Sequence, residues 1–138
     1  GIEGTEQTFE VDTIALAVGL SPCAELLWQA DCAMVDVPEL GGFVAYHNDR
    51  YETTTPGILV AGDAAGIEEA SAALLEGELA GIFAAQNLGH SFEGVEAIIA
   101  KKRAELASLR IGPTGEKIRA GMARLAERGD HQCLSKLG

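Results

Sequence analysis

Apolar positions run densely through the first twenty residues, with Phe9, Val11, Ile14, Leu16 and Val18 alternating or clustering after turn-forming Gly4 and Thr5. This pattern predicts a hairpin arm over residues 1–12 and a buried strand over Thr13–Val18. A hairpin leading into a core strand needs neighbouring strands, and no earlier residue supplies them. The 138 residues are therefore expected to be the C-terminal part of a longer protein. The strand stops at Gly19-Leu20-Ser21-Pro22. Cys23–Ala30 then reads as a short helix with Pro22 in its first turn, where a missing N–H costs nothing. Asp31–Glu39 fits neither the helical nor the strand period, and Gly41-Gly42 breaks it. Phe43–Tyr46 reads as a short strand, His47–Arg50 as a polar turn, Thr53–Gly57 as a second turn, and Ile58–Ala61 as four residues of buried strand.

The strongest helical pattern is Glu69–Leu88, apolar nearly all round, which predicts burial on most of its faces. Gly77 and Gly81 stand one turn apart in it, each costing about 1 kcal/mol against Ala, a cost tolerated where another backbone must come close. Gly89 is placed to stop the helix. Ser91 can cap a following helix whose apolar stripe is Phe92, Val95, Ile98, Ile99, Leu106 and Leu109. Gly112-Pro113 interrupts it, and Thr114–Arg128 predicts a last helix with Ile118, Met122 and Leu125 inward. The final ten residues are expected to fray.

Composition narrows the class. With 47% apolar and 22% charged residues, the chain is a globular mix of one modest domain's length. A formal net charge of −11 argues against nucleic acid as a partner, since phosphate binding needs clustered Lys and Arg. The basic clusters at Lys101–Arg103 and Lys117–Arg128 are diluted by Glu105, Glu116 and Glu127, and read as solvated helix faces. No apolar run is long enough to span a membrane, and the N-terminus lacks the regions of a signal peptide. Cys23, Cys32 and Cys133 form no C-x-x-C and are read as reduced, mostly buried thiols of a cytoplasmic protein. His47, His90 and His131 have no second ligand at metal spacing, so exposed histidine is expected for each and no metal site is predicted. Trp28 is read as a packing residue.

The chemistry concentrates at Gly62-Asp63. A short strand ending there and leading through small residues into a helix sets one carboxylate and one helix N-terminus along a common crevice, the usual ligand site of an open α/β sheet. The carboxylate suits a hydroxyl-bearing ligand, and the helix N-terminus suits an electron-rich group. A polyhydroxyl chain joined to an electron-accepting ring would satisfy both. Asp63 could also simply cap a helix. For Thr53 and Thr55, turn chemistry is at least as good a reading as ligand contact.

The run Thr53-Thr54-Thr55-Pro56-Gly57-Ile58-Leu59-Val60-Ala61-Gly62-Asp63 resembles the second flavin motif of the pyridine nucleotide-disulfide oxidoreductase superfamily. The run Asp12-Thr13-Ile14-Ala15-Leu16-Ala17-Val18-Gly19-Leu20-Ser21-Pro22 is similar to the same superfamily's strand ending in Gly-x-x-Pro, with Val18 in place of the commoner Thr. Gly41–Val44 and Ala64–Gly81 resemble one branch, the FAD subunits of opine oxidase, hydrogen cyanide synthase, dye-linked proline dehydrogenase and heteromeric sarcosine oxidase. The likeness covers Asp12–Leu88 well and the helical tail loosely.

This resemblance implies an α/β, FAD/NAD(P)-binding fold of the two-dinucleotide-binding-domain type. Residues 1–20 would end the NAD(P)-type domain, 21–90 would form the returning half of the FAD domain, and 91–138 a helical extension. It implies a flavoprotein subunit that oxidises a C–N bond of an amine or amino-acid derivative, or relays its electrons through FAD, with NAD(P) as a possible second cofactor. Gly62 and Asp63 would meet the ribityl chain. Glu69, Ala70 and Ser71 would begin a helix aimed at the flavin's pyrimidine edge, with the carboxylates of Glu68 and Glu69 facing away. No G-x-G-x-x-G, redox Cys pair or iron-sulfur cysteine set is present, so this chain alone is expected to bind FAD weakly or not at all. No catalytic residue is assigned. Exposed sheet edges predict self-association. A reading from another class is a non-catalytic domain of flavoprotein fold that docks a second subunit through its helices.

Overall fold

The computed structural model describes residues 2–135, with side chains through Ala126. It is a small α/β arrangement of one two-stranded sheet and four helices. Helix α1 spans Glu25–Gln29, shorter than the predicted Cys23–Ala30 because Pro22 and Ala24 lie ahead of its first turn. The ambiguous 31–39 stretch resolves into strand β1, Met34–Val37, followed by a 3-10 turn at Pro38–Leu40. Strand β2, Gly42–Ala45, pairs antiparallel with β1 from Met34 opposite Ala45 to Val37 opposite Gly42. The two-residue period is visible here: Val35 and Val37 turn inward and Asp36 outward.

The predicted strand at Ile58–Ala61 does not form. Val60 N–H bonds the Tyr51 carbonyl and Thr53 N–H bonds the Ile58 carbonyl, leaving only isolated bridges at Glu52–Leu59 and His47–Thr53. One side of the segment is paired; among the described residues nothing pairs with the other, and of the four residues only Val60 is buried.

The predicted arm and strand at the start are corrected in the same way. Thr5 N–H closes the expected turn on the Ile2 carbonyl. Residues 2–20 are otherwise exposed and without strand, from Ile2 at 77% to Val18 at 91% exposure. Extended backbone without a neighbouring ladder gains neither hydrogen bonds nor burial.

Helix α2 spans Ala70–Asn87, as the pattern predicts. Its burial is one-sided rather than general: Ala72, Leu75, Glu76, Leu79 and Phe83 face inward, while Leu74 and Leu88 are exposed. Gly77 and Gly81 lie on the outer face with nothing near them, so no backbone among the described residues explains them. Gly89 does stop the helix. It sits at φ +82°, its N–H bonds the Gln86 carbonyl, and His90 N–H reaches back to Ala85, the paired bonds of a Schellman cap.

Helix α3 is Val95–Leu109, beginning after Gly94 with no side-chain cap, so Ser91 and Phe92 fall outside it. Helix α4 is Gly112–Ser135 and continues past Arg128. Residues 136–138, at the end of the stretch expected to fray, lie outside the described residues.

Three apolar clusters hold these pieces. One joins Tyr51 to α2 and α3 through Leu79, Phe83, Val95, Ile99 and Leu106. A second packs the hairpin's Val35, Val37, Leu40 and Val44 against Ile118 and Leu125 of α4. The third seats α1 and Cys32 on Ala45, Val60 and Ala65. Fully buried Leu79 and Phe83 each contribute roughly 1.5–3 kcal/mol of transfer free energy. Cys23 is exposed, unlike the buried Cys32, and Cys133 lies outside the described side chains. Trp28 is half exposed and packs on Phe43 with centroids 5.5 Å apart.

Candidate functional site

The Thr53–Gly57 turn is built by its own side chains. Thr53 Oγ1 donates to the Thr55 carbonyl and accepts from Thr55 N–H, Thr54 Oγ1 accepts from Ala33 N–H, and Thr55 Oγ1 donates to the Ala30 carbonyl. Turn chemistry thus accounts for these threonines. The chain then runs through Val60 into a 3-10 turn at Gly62–Ala64. Gly62 holds φ +68°, and a Cβ there would come 3.3 Å from Ala73 Cβ of α2. Glycine is needed for the chain reversal and for seating the turn on the helix.

Asp63 stands exposed on that turn and makes no hydrogen bond or ion pair among the described residues. Beside it, α2 opens with exposed Glu69, Ala70 and Ser71. The Glu69 carbonyl takes the N–H groups of Ala72 and Ala73. No acceptor among the described residues takes those of Ala70 and Ser71, which are the free donors expected at a helix start. A cleft of about 150 Å³ separates Glu69 and Ala72 from Leu109, Ile111 and Pro113 of the tail.

A buried ion network, not anticipated from the sequence, fixes this turn from behind. Glu76, with 4% of its side chain exposed, accepts the Gly62 N–H at 2.9 Å. Its other oxygen takes Arg110 Nη2 at 2.5 Å. Arg110 Nε lies 3.0 and 3.1 Å from the two oxygens of Glu68, and its Nη2 lies 2.7 Å from the second. Burial alone would lower the arginine's pKa; the hydrogen bonds and charges of Glu68 and Glu76 outweigh it and raise the value. Glu68 is therefore turned toward Arg110. The signal available in the sequence was positional: Glu76 falls on the Ala72, Leu75, Leu79, Phe83 stripe, where a carboxylate needs a partner.

A larger cleft of about 530 Å³ lies on the other side of this network, between the His47–Tyr51 turn, α3 and α4. His47 is half buried rather than exposed. Its Nδ1 donates to the Ala45 carbonyl at 3.1 Å, which leaves Nε2 as the ring's acceptor. Burial lowers its pKa, only partly offset by that bond and by Glu76. Tyr51 is 8% exposed, stacked on His47 at 6.0 Å, and burial with the charge of Glu76 raises its pKa. His90 is exposed as expected, and His131 lies outside the described side chains. Among the described residues no group of His, Cys, Asp or Glu could hold a metal ion. No described helix is long and apolar enough to cross a membrane.

A comparison with protein families yields one match. A family model described as pyridine nucleotide-disulphide oxidoreductase matches residues 1–77, a span that includes the Gly62-Asp63 turn and the start of α2. Neither the curated proteins nor the solved structures yield a match.

Proposed function

The chain belongs to the pyridine nucleotide-disulphide oxidoreductase family, and from that membership we propose that it carries part of an FAD site, with Asp63 holding the ribityl chain and the start of α2 facing the flavin. The supporting observation is a pairing of opposites. An exposed carboxylate with no partner and two open backbone donors sit on adjoining ends of one turn and one helix. The donor set fits the group: the carboxylate accepts from hydroxyls, and the helix N-terminus favours electron-rich ring atoms. No G-x-G-x-x-G is present, so these residues supply only part of a dinucleotide site.

Bound FAD supplies hydride-accepting chemistry; the chain supplies position and field. Asp63 orients, through charge-assisted hydrogen bonds worth about 1.5–3 kcal/mol each. Glu76 holds the Gly62 N–H and so sets the angle at which Asp63 leaves the turn. Arg110 offsets the charge of Glu68, which lines the cleft beside α2's first turn, so the helix's positive end faces less net negative charge there. The dipole contributes roughly 0.3–1 kcal/mol at such an exposed end.

In this reading the protein oxidises an amine or amino-acid derivative at a C–N bond or relays its electrons through FAD, and NAD(P) and a second subunit are candidate partners. Visible flavin absorbance of the native gene product, and its loss in Asp63→Ala, test the site; oxidation of an amine panel against a hydroxy-acid panel tests the substrate class. A second reading has one observation behind it. Leu74 on the outer face of α2 and Leu88 just past its end stand 65% and 77% exposed, as a surface that docks another subunit would. A colourless native gene product would favour it.

A further inference from the structure

We propose that the cleft between the His47–Tyr51 turn, α3 and α4 binds a small organic monocarboxylate with an apolar body, at a site separate from the flavin turn. Its volume of about 530 Å³ falls within the range that small ligands fill. Three features converge on its chemistry.

The first is Tyr51. The three-residue loop Asp49–Tyr51 is closed by Tyr51 N–H on the Asn48 carbonyl and by Asn48 Oδ1, which accepts from the N–H groups of Arg50 and Glu52. Its last position takes φ +64°, where glycine is the usual occupant. A tyrosine there costs of order 1 kcal/mol, and such strain concentrates at ligand sites. The residue is more than nine-tenths buried and lines the cleft, while its hydroxyl, which has no partner among the described residues, stays open to solvent and so to a ligand.

Charge is the second feature. In a chain of net charge −11, Arg103, Arg110 and Arg119 all line this cleft, against Glu76 and Asp49. Glu76 is already saturated by Arg110 and the Gly62 N–H. Arg110 uses Nε and Nη2, and Arg103 uses Nη2 on Asp49; Nη1 of each has no acceptor among the described residues. These donors and the Tyr51 O–H, all on residues that line the cleft, are the groups that would take the two oxygens of a carboxylate. The third feature is the apolar lining beside the arginines, where Leu106 of α3 and Met122 and Leu125 of α4 border the cleft and would meet the rest of the molecule. His47 Nε2 adds one acceptor for a hydroxyl or amino group beside the carboxylate.

Titration of the isotope-labelled chain with 3-phenylpropanoate, and separately with 3-phenylpropan-1-ol, followed by amide NMR, tests this. The acid should bind about tenfold tighter than the alcohol or more, with saturable shifts confined to the 47–51 turn, 103–110 and 119–126. Tyr51→Phe should weaken the acid about tenfold and leave the alcohol unchanged. Ala107→Trp, which fills the cleft without removing a polar partner, should abolish both. Dispersed spectra confirm that each variant folds. Equal binding of acid and alcohol, shifts elsewhere, or indifference to Tyr51→Phe would overturn the assignment. Because neither probe involves flavin, the outcome is independent of the FAD reading.

Discussion

Glu76 and Arg110 show how much one residue pair holds. Both are largely buried; Glu76 is satisfied by Arg110 and the Gly62 N–H, and Arg110 is shared between Glu76 and Glu68. Glu76→Gln removes one of the two charges that offset Arg110, leaving Glu68 in place, and weakens the anchor on the Gly62 N–H, so it should destabilise the chain by about 1.5 kcal/mol in urea unfolding. A loss under about 0.5 kcal/mol would mean the network is not formed as described. His47 gives a pH signature. Its folded pKa lies below 6.5 chiefly because the ring is buried, so the unfolded chain takes up a proton that the folded chain resists. Stability is full above the unfolded pKa, declines as pH falls through it, and levels off below the folded value. The slope is at most about 1.4 kcal/mol per pH unit. Unfolding at about pH 7.5 and about pH 5.5 should show a larger loss in the native chain than in His47→Gln; equal losses would refute the assignment.

At the scale of elements, α2 offers a paired test through two of its glycines. Gly77 is helical, exposed and surrounded by open space. Gly77→Ala should raise stability by about 0.5–1 kcal/mol. Gly89 is also uncrowded but left-handed, so Gly89→Ala should lower stability by about 1 kcal/mol through backbone strain alone. Midpoints of chemical unfolding that move in the same direction for both would contradict the cap. Helices α2 and α4 were legible because their apolar periods are long and bounded by Gly89 and Gly112-Pro113. The short runs Thr13–Val18 and Ile58–Ala61 were misread for one reason. A strand is defined by its neighbours, and an apolar run of four to six residues does not carry them. The candidate turn was legible through Gly62-Asp63, whereas Arg110 was not, since pairing across 34 residues depends on how α3 returns.

Considered whole, the molecule is a packed body carrying an exposed apolar arm over residues 2–20. Ile14, Leu16 and Val18 on open backbone invite pairing between chains. Light scattering should find the 138-residue chain self-associated, and removal of residues 1–20 should release a monomer. A clean monomer from the unaltered chain would remove the argument. The family match fixes the class of protein, and the remaining weight rests on one side chain. The most direct measurement is the visible flavin content of the native gene product beside its Asp63→Ala variant, with circular dichroism to show that both fold. The account predicts a yellow parent and a variant that retains FAD about tenfold to a hundredfold more weakly; a folded variant that keeps its full complement of flavin would contradict it.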